Sequence, residues 1–498
     1  MSISFFEKLH KNVRFNFYNY ALALGIGLFL TPIVVKKLGG EQYGLWVMTG
    51  FILGYFGFMD LGLNRAAVRH ISMSYSSDDK SRLSAVINSC LITNVILGTL
   101  AFAALFLLNG FLVQKIFKIS EGLIPYARTT IYILSVIFLF RFPGATFDSI
   151  LTGLQRIDLS QTINIISTIL RAAATVAVLY SGGNVVGLMW VSFAFTILNL
   201  IALLIVTFIL LPSIRIDFKN FSRRVLKELF IDGFYQTLIG ATTQLGFYTD
   251  RILISSLIGI SMVTPYQLAN MIAMLPFTIS HNFFTPVYAL SAEMKARNDL
   301  IGLKKLFISG TKMTTMISFG LGLFLFCSSD QIYLLWMGPE YQLSARLMRL
   351  LVAIWTLASL NTIGCGIFWG QEPPRWHGFT QIVFAVVSLT SGFFLIKKFG
   401  IWGAGYSFGI GWFVSFVLLG IKLLKVAGVK FKEFFNEVFR FEAALAIISY
   451  YIFTALLKHF NYIAAILATL IFFGIISLKF YFTDDEKRKI KSIYRIAH

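Results

Sequence analysis

Long apolar runs, each about as long as a bilayer-spanning helix, dominate this sequence. A transmembrane helix needs about 20 mostly apolar residues, whereas a strand of a membrane barrel has about 10 residues that alternate in polarity. The runs therefore predict an all-α integral membrane protein with about 14 transmembrane helices. The predicted spans lie near residues 15–35, 43–63, 83–108, 124–148, 160–180, 185–211, 229–257, 262–289, 304–327, 345–369, 377–396, 401–421, 436–457 and 461–482.

Lysine and arginine are distributed unevenly between the two sides of the membrane that these spans define. Of 43 such residues, 29 are assigned to the side of the amino terminus and the carboxy-terminal tail, 10 to the other side, and the remaining four lie well within spans. Because positive loops stay in the cytoplasm, both termini are predicted to be cytoplasmic. The formal net charge of +20 is thus mainly a topology signal, and its dispersal over short loops argues against nucleic-acid binding.

The sequence shows no motif for enzymatic or ATP-driven chemistry. It contains no GxxxxGK[ST] loop and no GxGxxG between a strand and a helix. Cys90, Cys327 and Cys365 fall inside predicted spans, without the spacing of a metal site or a disulfide framework. We therefore expect a protein that is not an enzyme and that carries neither a cofactor nor a metal.

An internal repeat relates the segment that starts at Gly153 to the one that starts at Gly370. Each segment has a polar turn, a span, an outer turn with glycine and a further glycine-rich span. Six spans separate the two copies, which is typical of transporters with two parallel lobes around a central pathway. The predicted parts are an amphipathic cytoplasmic amino terminus (1–14), an amino-terminal lobe (15–211), a linker (212–228), a carboxy-terminal lobe (229–421), two extra helices (436–482) and a basic tail (483–498).

Three motifs carry a family resemblance. The stretch 31–72 combines an LGxxxYG turn at 38–44 with a DxGL motif at 60–63, and the second half contains TDRILISSLIG followed by PYQLANMIAMLP. With these motifs the chain resembles the Wzx-type polysaccharide-unit flippases of the multidrug/oligosaccharidyl-lipid/polysaccharide exporter superfamily. Two alternatives belong to the same superfamily, a lipid II flippase and a small-molecule antiporter. The turn KKLGGEQYG lacks the arginine pair that is usual in the lipid II branch, and multidrug exporters usually have twelve spans.

The resemblance implies a function and a set of partners. Wzx-like proteins move an undecaprenyl-pyrophosphate-linked oligosaccharide from the cytoplasmic to the periplasmic leaflet of the bacterial cytoplasmic membrane, for O-antigen or another surface polysaccharide. The expected mechanism is alternating access of the two lobes. The expected partners are the lipid-linked oligosaccharide and membrane lipids, with a polysaccharide polymerase and a chain-length regulator as further candidates. Either H⁺ or Na⁺ is compatible as the coupling ion.

Two polar stripes in apolar spans are candidate walls of a transport cavity. On one face of the fifth span, at spacings of three and four residues, lie Gln161, Asn164, Thr168, Arg171 and Thr175. On one face of the seventh span, flanked by Gln244 and Arg251, lie Gln236, Gly240, Thr243, Phe247 and Asp250. Because adjacent helical residues point about 100° apart, Asp250 and Arg251 are expected to pair with other groups.

Arg171 lies near the middle of its span, where an arginine costs about 2.5–3.5 kcal/mol. It must therefore face either a hydrated cavity or a buried structural partner. Further candidates are Arg141, with Asp148 seven residues later on the same face, and Lys312, for which snorkelling to the inner interface is the alternative. Asp148 and Asp60 are candidate gating or coupling residues.

The balance of charge within the spans indicates the class of substrate. Four cations lie well within spans, whereas the acids there are Asp250 and, near a span end, Asp148. A positive cavity suits an anionic head group such as a pyrophosphate or an acidic sugar. The four cations are Arg141, Arg171, Arg251 and Lys312.

Overall fold

The structure is a computed structural model, and it is almost entirely helical in the residues that it describes. These are residues 22–481 apart from 23, 57–58, 61, 117–118, 213–215, 218–219 and 372–374. The side chains of 55–56, 116, 235–248, 285 and 289 also lie outside the description. Helices, joined by turns and short loops, make up the described part, which contains no strand. The predicted amphipathic amino terminus and basic tail fall outside it.

The chain forms two compact units, the first of which ends at Thr264. Its helix α4 continues into a π-helical turn at Leu112–Ile116. The described helices of this amino-terminal unit are α1 (24–38), α2 (Gly40–Phe56), α3 (Leu63–Ser76), α4 (Lys80–Phe111), α5 (Ile124–Gly153), α6 (Ile157–Tyr180), α7 (Val185–Leu210) and α8 (Arg223–Ile258).

The second unit begins at Pro265, just inside α9. Its last two helices adjoin π-helical turns, Phe435–Phe439 before α18 and Ser477–Tyr481 after α19. The described helices are α9 (Val263–Ala273), α10 (Leu275–His281), α11 (Phe284–Ala296), α12 (Leu300–Trp336), α13 (Gln342–Ala358), α14 (Thr362–Gln371), α15 (Arg375–Phe399), α16 (Ile401–Val426), α17 (Phe431–Phe434), α18 (Arg440–Leu456) and α19 (Tyr462–Ile476).

The division at Thr264 assigns α8 to the amino-terminal unit. The sequence repeat placed this segment in the carboxy-terminal lobe, after a linker at 212–228. Polar contacts near the amino-terminal end of α8 show how it attaches to α3 and α4. Asp232 accepts a hydrogen bond from Arg69 at 3.2 Å and lies 3.0 Å from His70 Nε2, and Arg82 reaches Glu228 at 3.1 Å. The lobe boundaries stay a prediction.

The helices confirm an all-α integral membrane protein. Ten of them, in the described part of the chain, are long and apolar enough to cross a bilayer. Their outer faces carry large exposed apolar side chains such as Trp190, Leu198 and Ile205 on α7, which is typical of a surface in contact with lipid. The total number of spans stays a prediction.

The predicted span at 262–289 is divided into three shorter helices. The chain breaks after Ala273 and again after His281. Pro276 stands in the first turn of α10, where its missing N–H cannot continue the ladder of hydrogen bonds from α9. The apolar run correctly predicted a helical segment here. The prediction of one continuous helix was wrong, because the length of an apolar run does not show where a proline interrupts the helix.

The LGxxxYG motif builds a close turn in the amino-terminal unit. Gly39 has a φ of 78°, in the left-handed region that favours glycine. A Cβ at Gly44 would lie 2.7 Å from the carbonyl oxygen of Ile260. The second glycine is therefore required by a backbone approach, which explains why the motif has glycine at both positions.

Close packing of α4 on α5 gives a stability prediction. A Cβ at Gly98 would lie 2.9 Å from the carbonyl oxygen of Phe138, whereas nothing lies within 4 Å of a Cβ at Gly110 on the same helix. Gly98→Ala is therefore expected to lower the melting temperature in detergent, because helices at a small-residue contact must separate. Gly110→Ala is the matched control and is expected to melt at or above wild type, since alanine favours the helix by about 0.5–1 kcal/mol. Equal melting of both variants would contradict the packing argument.

Candidate functional site

A polar cavity of about 300 Å³ opens between α5, α6 and α7 in the amino-terminal unit. We call it the α5–α7 cavity. Arg141 and Asp148 come from α5, Asn164 and Arg171 from α6, and Asn199 from α7. The remaining lining residues are Phe140, Gly144, Ala145, Ser167, Thr168, Phe195, Thr196, Leu200 and Leu203. The structure thus brings five of the residues selected from the sequence to one cavity, Arg141, Asp148, Asn164, Thr168 and Arg171.

Both arginines of this cavity are exposed to it. In the part of the chain that the structure describes, neither Arg141 nor Arg171 forms a hydrogen bond or an ion pair with a protein group. Each guanidinium carries five N–H donors, and no described protein group accepts a hydrogen bond from them, so they can bind an anion in the cavity. Of the two hypotheses for Arg171, the geometry favours an arginine that faces a cavity over an arginine in a buried structural ion pair.

The acceptors of the cavity are engaged by neighbouring side chains. Ser160 of α6 donates a hydrogen bond to the Asp148 carboxylate of α5. Asn199 of α7 donates to the side-chain oxygen of Asn164 at 3.3 Å. These contacts join the three helices, and among the described lining residues the two arginines outnumber the single carboxylate of Asp148. The cavity therefore favours an anion, with amide and hydroxyl groups nearby that can bind sugar hydroxyls.

A second cavity, of about 400 Å³, shares Arg141 and Asp148 with the first. We call it the α3–α5 cavity, and its other polar residues include Asp60, Asn64 and Arg65. Because α5 contributes the shared residues, the two cavities adjoin along this helix within the amino-terminal unit.

Asp60 has a structural task at the start of α3. Its carboxylate accepts hydrogen bonds from the backbone N–H of Gly62 at 3.1 Å and from the side chain of Asn64 at 2.8 Å. Asn64 in turn accepts from Asn94, which also donates to Thr146 at 2.8 Å. The aspartate of the DxGL motif thus begins a buried polar network across α3, α4 and α5. Its gating or coupling role stays a prediction.

The adjacent Asp250 and Arg251 pair with each other, contrary to the expectation from helical geometry. Arg251 donates to both carboxylate oxygens of Asp250, at 2.8 and 3.1 Å. The side chains are 7% and 4% exposed, and the guanidinium lies 5.4 Å from the centroid of the Phe51 ring. The prediction failed because only the Cα–Cβ directions of neighbours diverge by about 100°, and a long arginine side chain can fold back onto residue i−1.

Three further predicted residues cannot be placed in either cavity. The side chains of Gln236 and Gln244, like those of Thr243 and Phe247, lie outside the described residues. Gln161 is half-buried on α6, one turn before Asn164 and outside the lining of the α5–α7 cavity.

Lys312 belongs to the carboxy-terminal unit and is buried there. Its side chain is 7% exposed, and its Nζ lies 3.6 Å from Glu437 and 5.8 Å from the ring centroid of Tyr481. These partners flank α18 and α19, so the lysine is held by protein groups. Snorkelling to water, the alternative from the sequence, is incompatible with this degree of burial.

Sequence reasoning missed the contribution of α7. Ser192, Thr196 and Asn199 are spaced four and three residues apart within a strongly apolar span, so the same search for polar stripes could have found them. Asn64 and Arg65 gave no such signal, because they follow a turn near a predicted span end, where polar residues are ordinary.

The sequence has counterparts among known proteins. The profile of the family described as "Polysaccharide biosynthesis protein" matches residues 9–288. A protein of Shigella flexneri named "Putative O-antigen transporter" is 20% identical over 427 residues, which cover 82% of this chain and 96% of that protein.

The fold also has counterparts among solved structures. The lipid II flippase MurJ in an inward closed conformation aligns with a TM-score of 0.75 at 15% identity, over 94% of this chain and 98% of that chain. An inward-facing multidrug resistance MATE family transporter of the MOP superfamily aligns with a TM-score of 0.67 at 16% identity, over 82% and 95% of the two chains. These TM-scores show a shared fold.

Proposed function

The chain belongs to the polysaccharide biosynthesis protein family and is a membrane flippase or exporter of the MOP superfamily, and we propose that its cargo is an undecaprenyl-pyrophosphate-linked oligosaccharide. The resemblance of its motifs to Wzx-type flippases is thereby confirmed. The proposed direction of transport is from the cytoplasmic to the periplasmic leaflet, and the proposed product is O-antigen or another surface polysaccharide.

The observation that carries this proposal is the α5–α7 cavity with its two exposed arginines. A pyrophosphate presents several anionic oxygens, and guanidinium groups bind such oxygens with strong, charge-assisted hydrogen bonds. Asn164, Asn199 and Thr168 can bind the hydroxyl groups of the sugars beside it. The polyprenyl chain is apolar and can stay in the lipid, so the cavity needs to hold only the polar part of the cargo.

The remaining features of the proposal concern the transport cycle. We place the chain in the bacterial cytoplasmic membrane with both termini in the cytoplasm, because of the distribution of lysine and arginine. Alternating access exposes the cavity to one leaflet at a time. A proton or sodium gradient is the proposed energy source, and a polysaccharide polymerase and a chain-length regulator are the proposed partners on the receiving side.

Deletion of the gene tests the function. In a strain that has no second flippase, we expect surface polysaccharide to disappear and the lipid-linked repeat unit to accumulate in the cytoplasmic leaflet. The readouts are electrophoresis of the surface polysaccharide and the accessibility of the repeat unit to an impermeant lectin on spheroplasts. Complementation with the full chain is the control. Normal surface polysaccharide would refute the proposal, and accumulation of lipid II instead would assign the chain to the lipid II branch.

A further inference from the structure

Glu442 is a buried carboxylic acid in the packing of the two carboxy-terminal helices. It lies in the first turn of α18, and its side chain is fully buried. Neither carboxyl oxygen has a hydrogen-bond partner in the part of the chain that the structure describes. Burial without a partner is rare for a glutamate in native proteins, and ionisable groups inside membrane segments commonly have a function.

The surroundings of Glu442 are apolar. Leu445 and Phe453, on the same face of α18, belong to a hydrophobic core with Phe319 and Leu323 of α12 and Phe473 of α19. Polar atoms within this packing are themselves without partners among the described residues, namely the hydroxyls of Ser449 on α18 and Ser477 after α19. Among the described residues, the hydroxyl of Ser477 lies near the Glu442 carboxyl without forming a hydrogen bond to it, and the core offers a negative charge there no cationic partner.

The charged and titratable groups on the neighbouring elements have other partners or lie away from this packing. Lys312 of α12 lies against Glu437 and the Tyr481 ring. Tyr481 donates its hydroxyl hydrogen bond to the carbonyl of Val438. The other such groups are Lys479, which is exposed and lies near the Phe480 ring, and Arg440, which is exposed at the start of α18. Tyr462 is at the start of α19, whereas Ser477 follows the end of that helix. Cys327 is in the second half of α12, whereas Lys312 is in the first half.

We propose that Glu442 is a proton-binding site, which holds its proton while α18 and α19 pack on α12 and releases it when this packing opens. An ionised carboxylate without a hydrogen bond in an apolar medium is far more costly than a neutral acid, so burial and protonation go together. Linkage makes the relation reciprocal, because whatever opens the packing favours release, and release favours opening. π-Helical turns adjoin the helix pair, before α18 and after α19, and such turns are frequent at functional sites.

Infrared spectroscopy tests the protonation state. We expect the difference spectrum between the wild-type chain and Glu442→Gln, in lipid at neutral pH, to show the loss of one carbonyl band of a protonated carboxylic acid. Loss of a carboxylate band would overturn the proposal. The matched control is Glu437→Gln, which removes an acid paired with Lys312 and should remove a carboxylate band. Failure of Glu442→Gln to fold would also count against the proposal, because an amide matches a neutral carboxyl in size and charge.

Thiol labelling tests the link to packing. Ser449→Cys is placed in a chain whose Cys90, Cys327 and Cys365 are replaced by alanine, and the rate of labelling by a small maleimide is followed as pH rises. With Glu442 present, the rate is expected to rise more steeply than in the same chain with Glu442→Gln, which reports the ionisation of the thiol alone. Identical pH profiles would overturn the link. Neither readout uses transport, so a failure here is distinct from a failure of the proposed function.

Discussion

Arg171→Ala is expected to reduce the export of the lipid-linked oligosaccharide to background while the variant still inserts and folds. Arg171 is exposed to the α5–α7 cavity and forms no ion pair among the described residues, so its removal strands no buried carboxylate. The variant instead loses one of two guanidinium groups that would hold the pyrophosphate. The measurements are surface polysaccharide in the complemented deletion strain, membrane abundance and melting temperature in detergent.

Two further variants test the interpretation of Arg171→Ala. Arg171→Lys is expected to keep part of the export, because lysine retains the charge but not the planar fork that binds two phosphate oxygens. Arg156→Ala is the matched control, since Arg156 precedes the same helix and pairs at the surface with Asp158 at 3.1 Å, and such pairs contribute little. Poor insertion of Arg171→Ala would indicate a structural role for Arg171. Full export by a well-folded Arg171→Ala would show that Arg171 is not part of the transport site.

Arg251→Met is expected to destabilise the protein by about 3–5 kcal/mol, the usual cost of breaking a buried ion pair by removing one partner. The variant would leave the carboxylate of Asp250 buried and without its charge partner, which accepts two hydrogen bonds from Arg251 in the structure. The measurements are the amount of folded protein in the membrane and the melting temperature in detergent. Both measurements report the folding of the variant and need no transport assay.

A double replacement separates the pair from its members. Asp250→Leu together with Arg251→Met removes both charges, and it should recover most of the lost stability, because apolar residues often replace buried pairs without loss. Arg82→Ala serves as a surface control, since its pair with Glu228 is half-exposed and should contribute at most about 1 kcal/mol. Wild-type melting of Arg251→Met would show that the pair is not needed for the fold.

Arg171 and Arg251 looked alike in the sequence, as cations on polar stripes of apolar spans. The stripe of α6 led to Asn164, Thr168 and Arg171, all of which line one cavity. The second stripe led to Asp250 and Arg251, which are buried against each other. Helical periodicity fixes which residues share a face but not whether that face meets a cavity or a neighbouring helix, so the two arginines could not be distinguished before the packing was known.

The sequence alone determined that this chain is an all-α membrane protein, because apolar runs of bilayer length leave backbone groups no satisfactory arrangement except the helix. It also determined the family resemblance, through turns in which glycine is required by backbone geometry, as at Gly39 and Gly44. Only the tertiary structure decided which of these charges line a cavity, which are paired and where the apolar run at 262–289 breaks. Those outcomes depend on how the helices pack, on side-chain rotamers and on local proline geometry, none of which contributes to hydrophobic periodicity.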